Sequence, residues 1–126
     1  MGKRVAEIHI KRVYDAPDAS DGTRVLVDRL WPRGLRKEKA AVTHWLKEVA
    51  PSAELRTWFG HDPARYAEFA RRYRAELAHN TDAVARLAAL RKQGPLTLLY
   101  AAHDQEHNHA LVLGAYLRDR LKGGSA

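Results

Sequence analysis

A continuous apolar run, Leu96 to Ala101 (L-T-L-L-Y-A), constrains this chain more than any other stretch. It is bounded by Gly94-Pro95 before it and by a polar, histidine-rich segment after it. A short run without polar alternation is expected of a strand buried on both faces, the situation in parallel sheets covered by helices. Helical patterns precede and follow it, so the run predicts an α/β domain.

Two further strands fit beside it. Over Ala6 to Tyr14, alternation places Ile8, Ile10, Arg12 and Tyr14 on one face and His9, Lys11 and Val13 on the other. The stretch Val25 to Gly34, V-L-V-D-R-L-W-P-R-G, begins with β-formers and is stopped by Pro32 and Gly34, which predicts a strand over 24–31. Period-two alternation then groups Val25, Val27, Arg29 and Trp31 against Leu26, Asp28 and Leu30. Asp28 thus falls in apolar company and needs a partner, for which Arg12 and Arg29 are candidates. Such a pair either stitches two strands together or belongs to a ligand site. The link Asp15 to Thr23 is rich in turn residues and short for a parallel crossover, so local geometry favours a hairpin.

Helices are expected elsewhere. Val42, Trp45, Leu46 and Val49 have helical spacing, which predicts a helix from about Ala40 to Val49, closed by Pro51. Ser52 is the expected N-cap of a short helix through Trp58, and Asp62-Pro63 reads as the start of another. In that third helix Tyr66, Phe69, Ala70, Tyr73 and Leu77 form one stripe, with Arg65, Arg71, Arg72 and Arg74 outside it and no aromatic interleaved. Asn80 or Thr81 caps a fourth helix facing inward through Ala83, Val84, Leu87 and Leu90. Ala110 to Leu117 is apolar nearly all round, so the last helix is buried at its start, while 123–126 is expected to fray.

Composition bounds the function. The 126 residues suit one domain, 1–126, with no repeat or linker dividing it. No run approaches the about 20 apolar residues of a membrane span. Met1 to Arg12 lacks the apolar core of a secretory signal, so a cytoplasmic protein is expected. Without cysteine there is no disulfide and no thiolate nucleophile. The formal net charge of +7 favours anionic partners: phosphorylated metabolites, nucleotides or nucleic acid. No phosphate-binding glycine loop, dinucleotide fingerprint or nucleophile elbow occurs.

Chemistry concentrates in His103 to His109, H-D-Q-E-H-N-H, which holds three of the seven histidines. One reading is a metal site, which lacks an identifiable further ligand. A second is a polar loop whose Asp104 or Asn108 caps the last helix. A third is a ligand crevice, because open α/β sheets bind ligands at the carboxyl ends of their strands and a helix N-terminus attracts anions. In that reading Arg12, Arg29 and Arg33 hold an anionic group, Asn108 and His109 complete the cradle, and Asp28 orients the arginines. Trp31 supplies a stacking wall or fills core. If the crevice is catalytic, His103 or Asp104 is the general base. No cofactor and no membrane partner are expected. The competing reading is a non-catalytic module that binds nucleic acid or protein through its basic helix faces.

Four blocks carry a resemblance: K-R-V-Y-D (11–15), V-L-V-D-R-L-W-P-R-G (25–34), A-P-S-A-E-L-R (50–56) and T-L-L-Y-A-A-H-D-Q-E-H-N-H-A (97–110). Together they resemble the bacterial YeaO-like family, a branch of domain of unknown function 488, over nearly the whole chain. The resemblance implies a single α/β domain and brings no established activity. A longer branch of that family has a helix between its first two strands and cysteine-bearing motifs near the positions of Tyr100 and Asn108-His109 here. The resemblance therefore implies that the first two strands are parallel, with Asp15 to Thr23 a shortened crossover, against the local hairpin preference. The expectation is a three-layer α/β domain with a small, mainly parallel sheet from strands at 6–14, 24–31 and 96–101, and helices on both faces.

Overall fold

The computed structural model describes residues 8–124, with side chains from Ile8 to Arg120. Its strands are β1 Ile8–Arg12, β2 Thr23–Leu26, β3 His44–Trp45 and β4 Leu96–Tyr100. All pair in parallel, in the order β1-β4-β2-β3. The helices are α1 Lys37–Ala40, α2 Ala53–Phe59, α3 Tyr66–His79, α4 Thr81–Lys92 and α5 His109–Gly124. The apolar run forms the inner strand β4, every residue of which is buried. Leu98 pairs with Ile10 on one side and with Val25 on the other. β1 and β2 are thus parallel but not adjacent, because β4 lies between them. The hairpin that local geometry favoured does not form.

A buried ion cluster fastens the short crossover. Within 13–22, Asp18 caps a 3-10 turn over Ala19–Asp21, and the Asp21 carboxylate accepts from the Asp18 N–H in return. Asp21 is only 4% exposed and receives Lys11 Nζ at 3.1 Å together with the Arg24 guanidinium. Its backbone carbonyl accepts from Thr97 Oγ1 at 2.7 Å, which ties the turn to β4. Arg24 also donates to the carbonyls of Ala40 at 2.9 Å and Ala41 at 3.0 Å, strapping the segment around α1 to the same side of the sheet. Gly22 follows with φ +65, its backbone so close to Pro95 that an added Cβ would lie 2.2 Å from the Pro95 oxygen. Glycine alone fits there.

The two faces of the sheet are covered differently. Ile8, Val25, Val27, Leu96 and Leu98 pack against side chains of α2 to α5, including Phe59, Phe69, Tyr73, Leu87 and Leu113. Burying each such side chain contributes about 1.5–3 kcal/mol. On the opposite face Val13, Leu26 and Leu99 are covered by Trp31, Leu35 and Val42, irregular chain with the single turn of α1 as its only helix among the described residues.

Several boundaries differ from expectation. The helix over 40–49 does not form: Ala41 adopts φ 51 and ends α1, and Thr43 N–H and Leu46 N–H bond to the carbonyls of Arg24 and Leu26. The Thr43 bond leads the chain to the sheet edge, where His44–Trp45 forms β3, and a 3-10 turn over Lys47–Val49 follows. The helical spacing misled because Val42 faces one cluster while Leu46 and Val49 face the other. β2 ends at Leu26 rather than Trp31. Val27 N–H still bonds Leu99 O at 3.0 Å, but the chain then leaves the sheet, and Trp31 packs on the Leu26 face instead of with Val25 and Val27. β1 ends at Arg12, and Ala6 and Glu7 lie outside the described residues.

Ser52 caps α2 by accepting from Leu55 N–H at 3.1 Å, and Asp62-Pro63 opens a 3-10 turn that runs into α3. The α3 stripe buries Phe69, Tyr73 and Leu77. Asn80 sits at the cap position of α4, but its side chain donates to Glu48 O at 2.7 Å instead. α5 continues through Gly124, so Gly123 and Gly124 are helical; 125–126 lie outside the described residues.

Burial alone would raise the Asp21 pKa, but the bonds from Lys11, the Asp18 N–H and Arg24 outweigh it and hold the carboxyl below its ordinary value. A depressed folded-state pKa contributes stability that is present above the unfolded value of about 3.9 and is lost as pH falls through the folded value. Asp21→Asn leaves Arg24 buried without a counter-charge and should cost about 3–5 kcal/mol in urea unfolding at neutral pH, with a shallower loss of stability on acidification than the parent chain. Gly22→Ala should cost about 1–3 kcal/mol by the same assay, from the clash with Pro95 and the strained φ.

Candidate functional site

β2 and β4 end side by side, and the chain leaving each of them meets the start of α5. A cleft of about 450 Å³ opens there. Asp28 and Arg29 line it from beyond β2, Ala101 and Ala102 from beyond β4, and His107, Asn108 and His109 from the start of α5. α2 contributes Arg56, Thr57 and Phe59, and His61 follows. His61 has φ 57, directly after Gly60 at φ 54, so two consecutive left-handed residues turn the chain there.

Asp28 is the knot of this arrangement. Its Oδ2 accepts from Ala101 N–H at 3.1 Å, and its Oδ1 lies 3.1 Å from His109 Nε2. The same nitrogen lies 3.1 Å from the Val27 carbonyl, which has the better hydrogen-bond direction, so Oδ1 sits beside the imidazole without a well-aimed donor. The carboxylate therefore joins the ends of β2 and β4 to the first residue of α5. Its partners are not the expected arginines. Arg12 donates Nε and Nη2 to the carbonyls of Ala102 and Ala101, both at 3.0 Å, and lies over the Tyr14 ring. Arg29 reaches the carbonyls of Ala50 and Pro51 only at 3.3 and 3.4 Å, and its Nε has no partner.

Asn108 fixes the start of α5. Its Oδ1 accepts from Leu111 N–H and its Nδ2 donates to Asp104 O, both at 3.0 Å, while its backbone carbonyl accepts from Tyr66 OH at 2.8 Å. Asp104 accepts from the N–H groups of Glu106 and His107 and lies 2.9 Å from His107 Nδ1. The Glu106 N–H, followed by His107, holds the Asp104 carboxyl below its usual pKa. Burial pushes the Tyr66 and Tyr100 hydroxyls up, so both stay protonated donors near neutral pH.

Of the residues singled out from sequence, Asp28, Arg29, Asn108 and His109 share the cleft. Arg12, Trp31, Arg33, His103 and Asp104 do not line it. Trp31 donates Nε1 to Leu35 O and packs on the far face of the sheet, and Arg33 and His103 are exposed. Arg56, His61 and His107 were missed as site residues, although Arg56 ends the A-P-S-A-E-L-R block and His107 lies in the histidine-rich one. Among the described residues no group of three His, Asp or Glu side chains converges as metal ligands would. Trp58, unforeseen, lies within 4.2 Å of the Arg72 guanidinium and 5.3 Å of that of Arg65, so an aromatic does interleave with the arginines of α3. Those arginines are locally paired: Arg71 and Arg72 with Glu68, Arg74 with Asp119.

Asn108→Ala should lower stability by about 1–2 kcal/mol in thermal or urea unfolding, through loss of the cap and of the bond to the Asp104 carbonyl. Asn108→Asp, which keeps the cap acceptor, should retain more of it.

A family model described as the inactive DUF488-N3 subclade matches residues 7–125. The chain is 51% identical over 111 residues to the uncharacterized protein YeaO of Escherichia coli (strain K12), covering 88% of this chain and 96% of that protein. It is 44% identical over 117 residues to the uncharacterized protein Rv3073c of Mycobacterium tuberculosis (strain ATCC 25618 / H37Rv), covering 93% and 98%. No solved structure matches it. The match over nearly the whole chain, with a relative about half identical, shows that this α/β protein belongs to the inactive DUF488-N3 subclade, the YeaO-like family.

Proposed function

We propose that the protein is a non-catalytic domain that binds a small anionic ligand, phosphorylated or nucleotide-like, in the cleft at the carboxyl ends of β2 and β4. The observation that carries this reading is Arg29: a guanidinium lining the cleft whose Nη2 makes only two long contacts to carbonyls. A guanidinium this weakly engaged at its Nη end matches a phosphate or carboxylate. Arg56 lines the same cleft, and the first turn of α5 brings free N–H groups and the positive end of its dipole. The Asp28 carboxylate contacts His109 and the Ala101 N–H and forms an ion pair with neither Arg29 nor Arg56.

The non-catalytic part rests on commitment of the carboxylates. Asp28 joins strand ends, Asp104 caps its own loop, and the chain has no cysteine. The family's description as inactive agrees with this. A cytoplasmic location, where phosphorylated metabolites occur, suits the same reading.

Thermal unfolding at constant ionic strength, with inorganic phosphate, ribose 5-phosphate and adenosine monophosphate as probes, tests it. A ligand at about a hundred times its Kd stabilises the fold by about 2.7 kcal/mol. At least one probe should raise Tm, Arg29→Ala should abolish the rise, and Arg71→Ala should leave it intact. No rise with any probe, or a rise that survives Arg29→Ala, overturns the proposal.

A further inference from the structure

The positive charge and the exposed aromatic surface meet at the β3 edge, away from the lining of the cleft. Trp45 on β3 is 38% exposed, unusual for a tryptophan in a sheet. It is nevertheless rigidly held. Its Nε1 donates to Asp28 O at 2.8 Å, and the Trp31 ring meets it edge-on at 5.5 Å. Trp31 is itself anchored by its bond to Leu35 O and by the core beneath it. β3 pairs with β2 on one side only, so among the described residues its outer side has no strand partner.

Cations frame this ring pair. Lys47 Nζ lies 5.5 Å from the Trp45 ring and Lys37 Nζ 5.9 Å from that of Trp31. Arg33, Arg36 and Lys39 are exposed in the same segment, whose acids are Glu38 and Glu48. Among the described residues, none of these five cations makes an ion pair. The arginines of α3 are the reverse case, neutralised by Glu68 and Asp119.

We infer that this edge binds single-stranded nucleic acid, a base stacking on the Trp45 indole while Lys37, Lys47 and the neighbouring cations take the phosphates. Stacking on an aromatic beside a basic track is how sequence-tolerant single-strand binding works. A duplex offers no free base face, and the single turn of α1 is too short to fill a major groove. A protein partner fits less well, because lysines are depleted in the cores of protein interfaces and here two of them lie on the rings.

Fluorescence anisotropy of a labelled oligothymidylate against the full chain is the test. Binding should weaken steeply with salt, by a slope of about 0.7 per phosphate contact. Trp45→Ala should weaken it about tenfold or more, and Trp45→Phe should retain most of it. Lys37→Gln with Lys47→Gln should flatten the salt slope, whereas Arg71→Ala on α3 should change neither. Absence of binding at low salt, or a Trp45→Ala chain that binds like the parent, overturns the inference. A concentration-dependent dimer in sedimentation that Trp45→Ala abolishes, without oligothymidylate binding, would assign the edge to a second copy instead.

Discussion

The fold depends on one buried charge. Asp21 lies at the end of a crossover too short to hold a helix, and the chain must return there from the end of β1 to the start of β2 across β4. A link of this length has few side chains with which to cover a sheet face by apolar packing. Asp21 replaces that packing with bonds: Lys11 from β1, Arg24 from β2, and through its carbonyl Thr97 from β4. Arg24 passes the connection on to Ala40 and Ala41 and so places the segment from Trp31 to Val42 over the same face. Isolated buried charges are costly, which is why each group in this cluster has several partners.

The cleft follows from the same topology. With β4 between β1 and β2, the ends of β2 and β4 are neighbours, and the chain leaving β4 must turn into α5 beside them. Asp28 holds that junction by accepting from Ala101 N–H and facing His109. The Asp28 carboxylate serves the backbone, and Arg29, which lines the cleft, reaches the Ala50 and Pro51 carbonyls only at 3.3 and 3.4 Å.

Where the sequence read true, the signal was local and strong. The unalternating run at Leu96 to Tyr100, the Ser52 cap and the stripe Phe69, Tyr73, Leu77 are each set by residues close in the chain. It misled where one segment serves two environments. Val42 to Val49 has helical spacing, but its apolar residues divide between the two sheet faces rather than sharing one, and an edge strand formed instead. At the site, Asp28, Arg29, Asn108 and His109 could be grouped from strand ends and a helix start, while Arg56 and His61 arrive from α2 and its exit, whose placement no local pattern reveals.

By itself the sequence determined the class of fold, the buried central strand, most helix boundaries and the absence of thiol chemistry, since these depend on periodicity, capping and composition. Only the tertiary structure decided the strand order, the pairing of Asp21 with Lys11 and Arg24, and the partner of Asp28. Those are contacts between residues far apart in the chain: Asp28 meets Ala101 and His109 because β4 has inserted beside β2, and period-two alternation cannot specify which strand that will be.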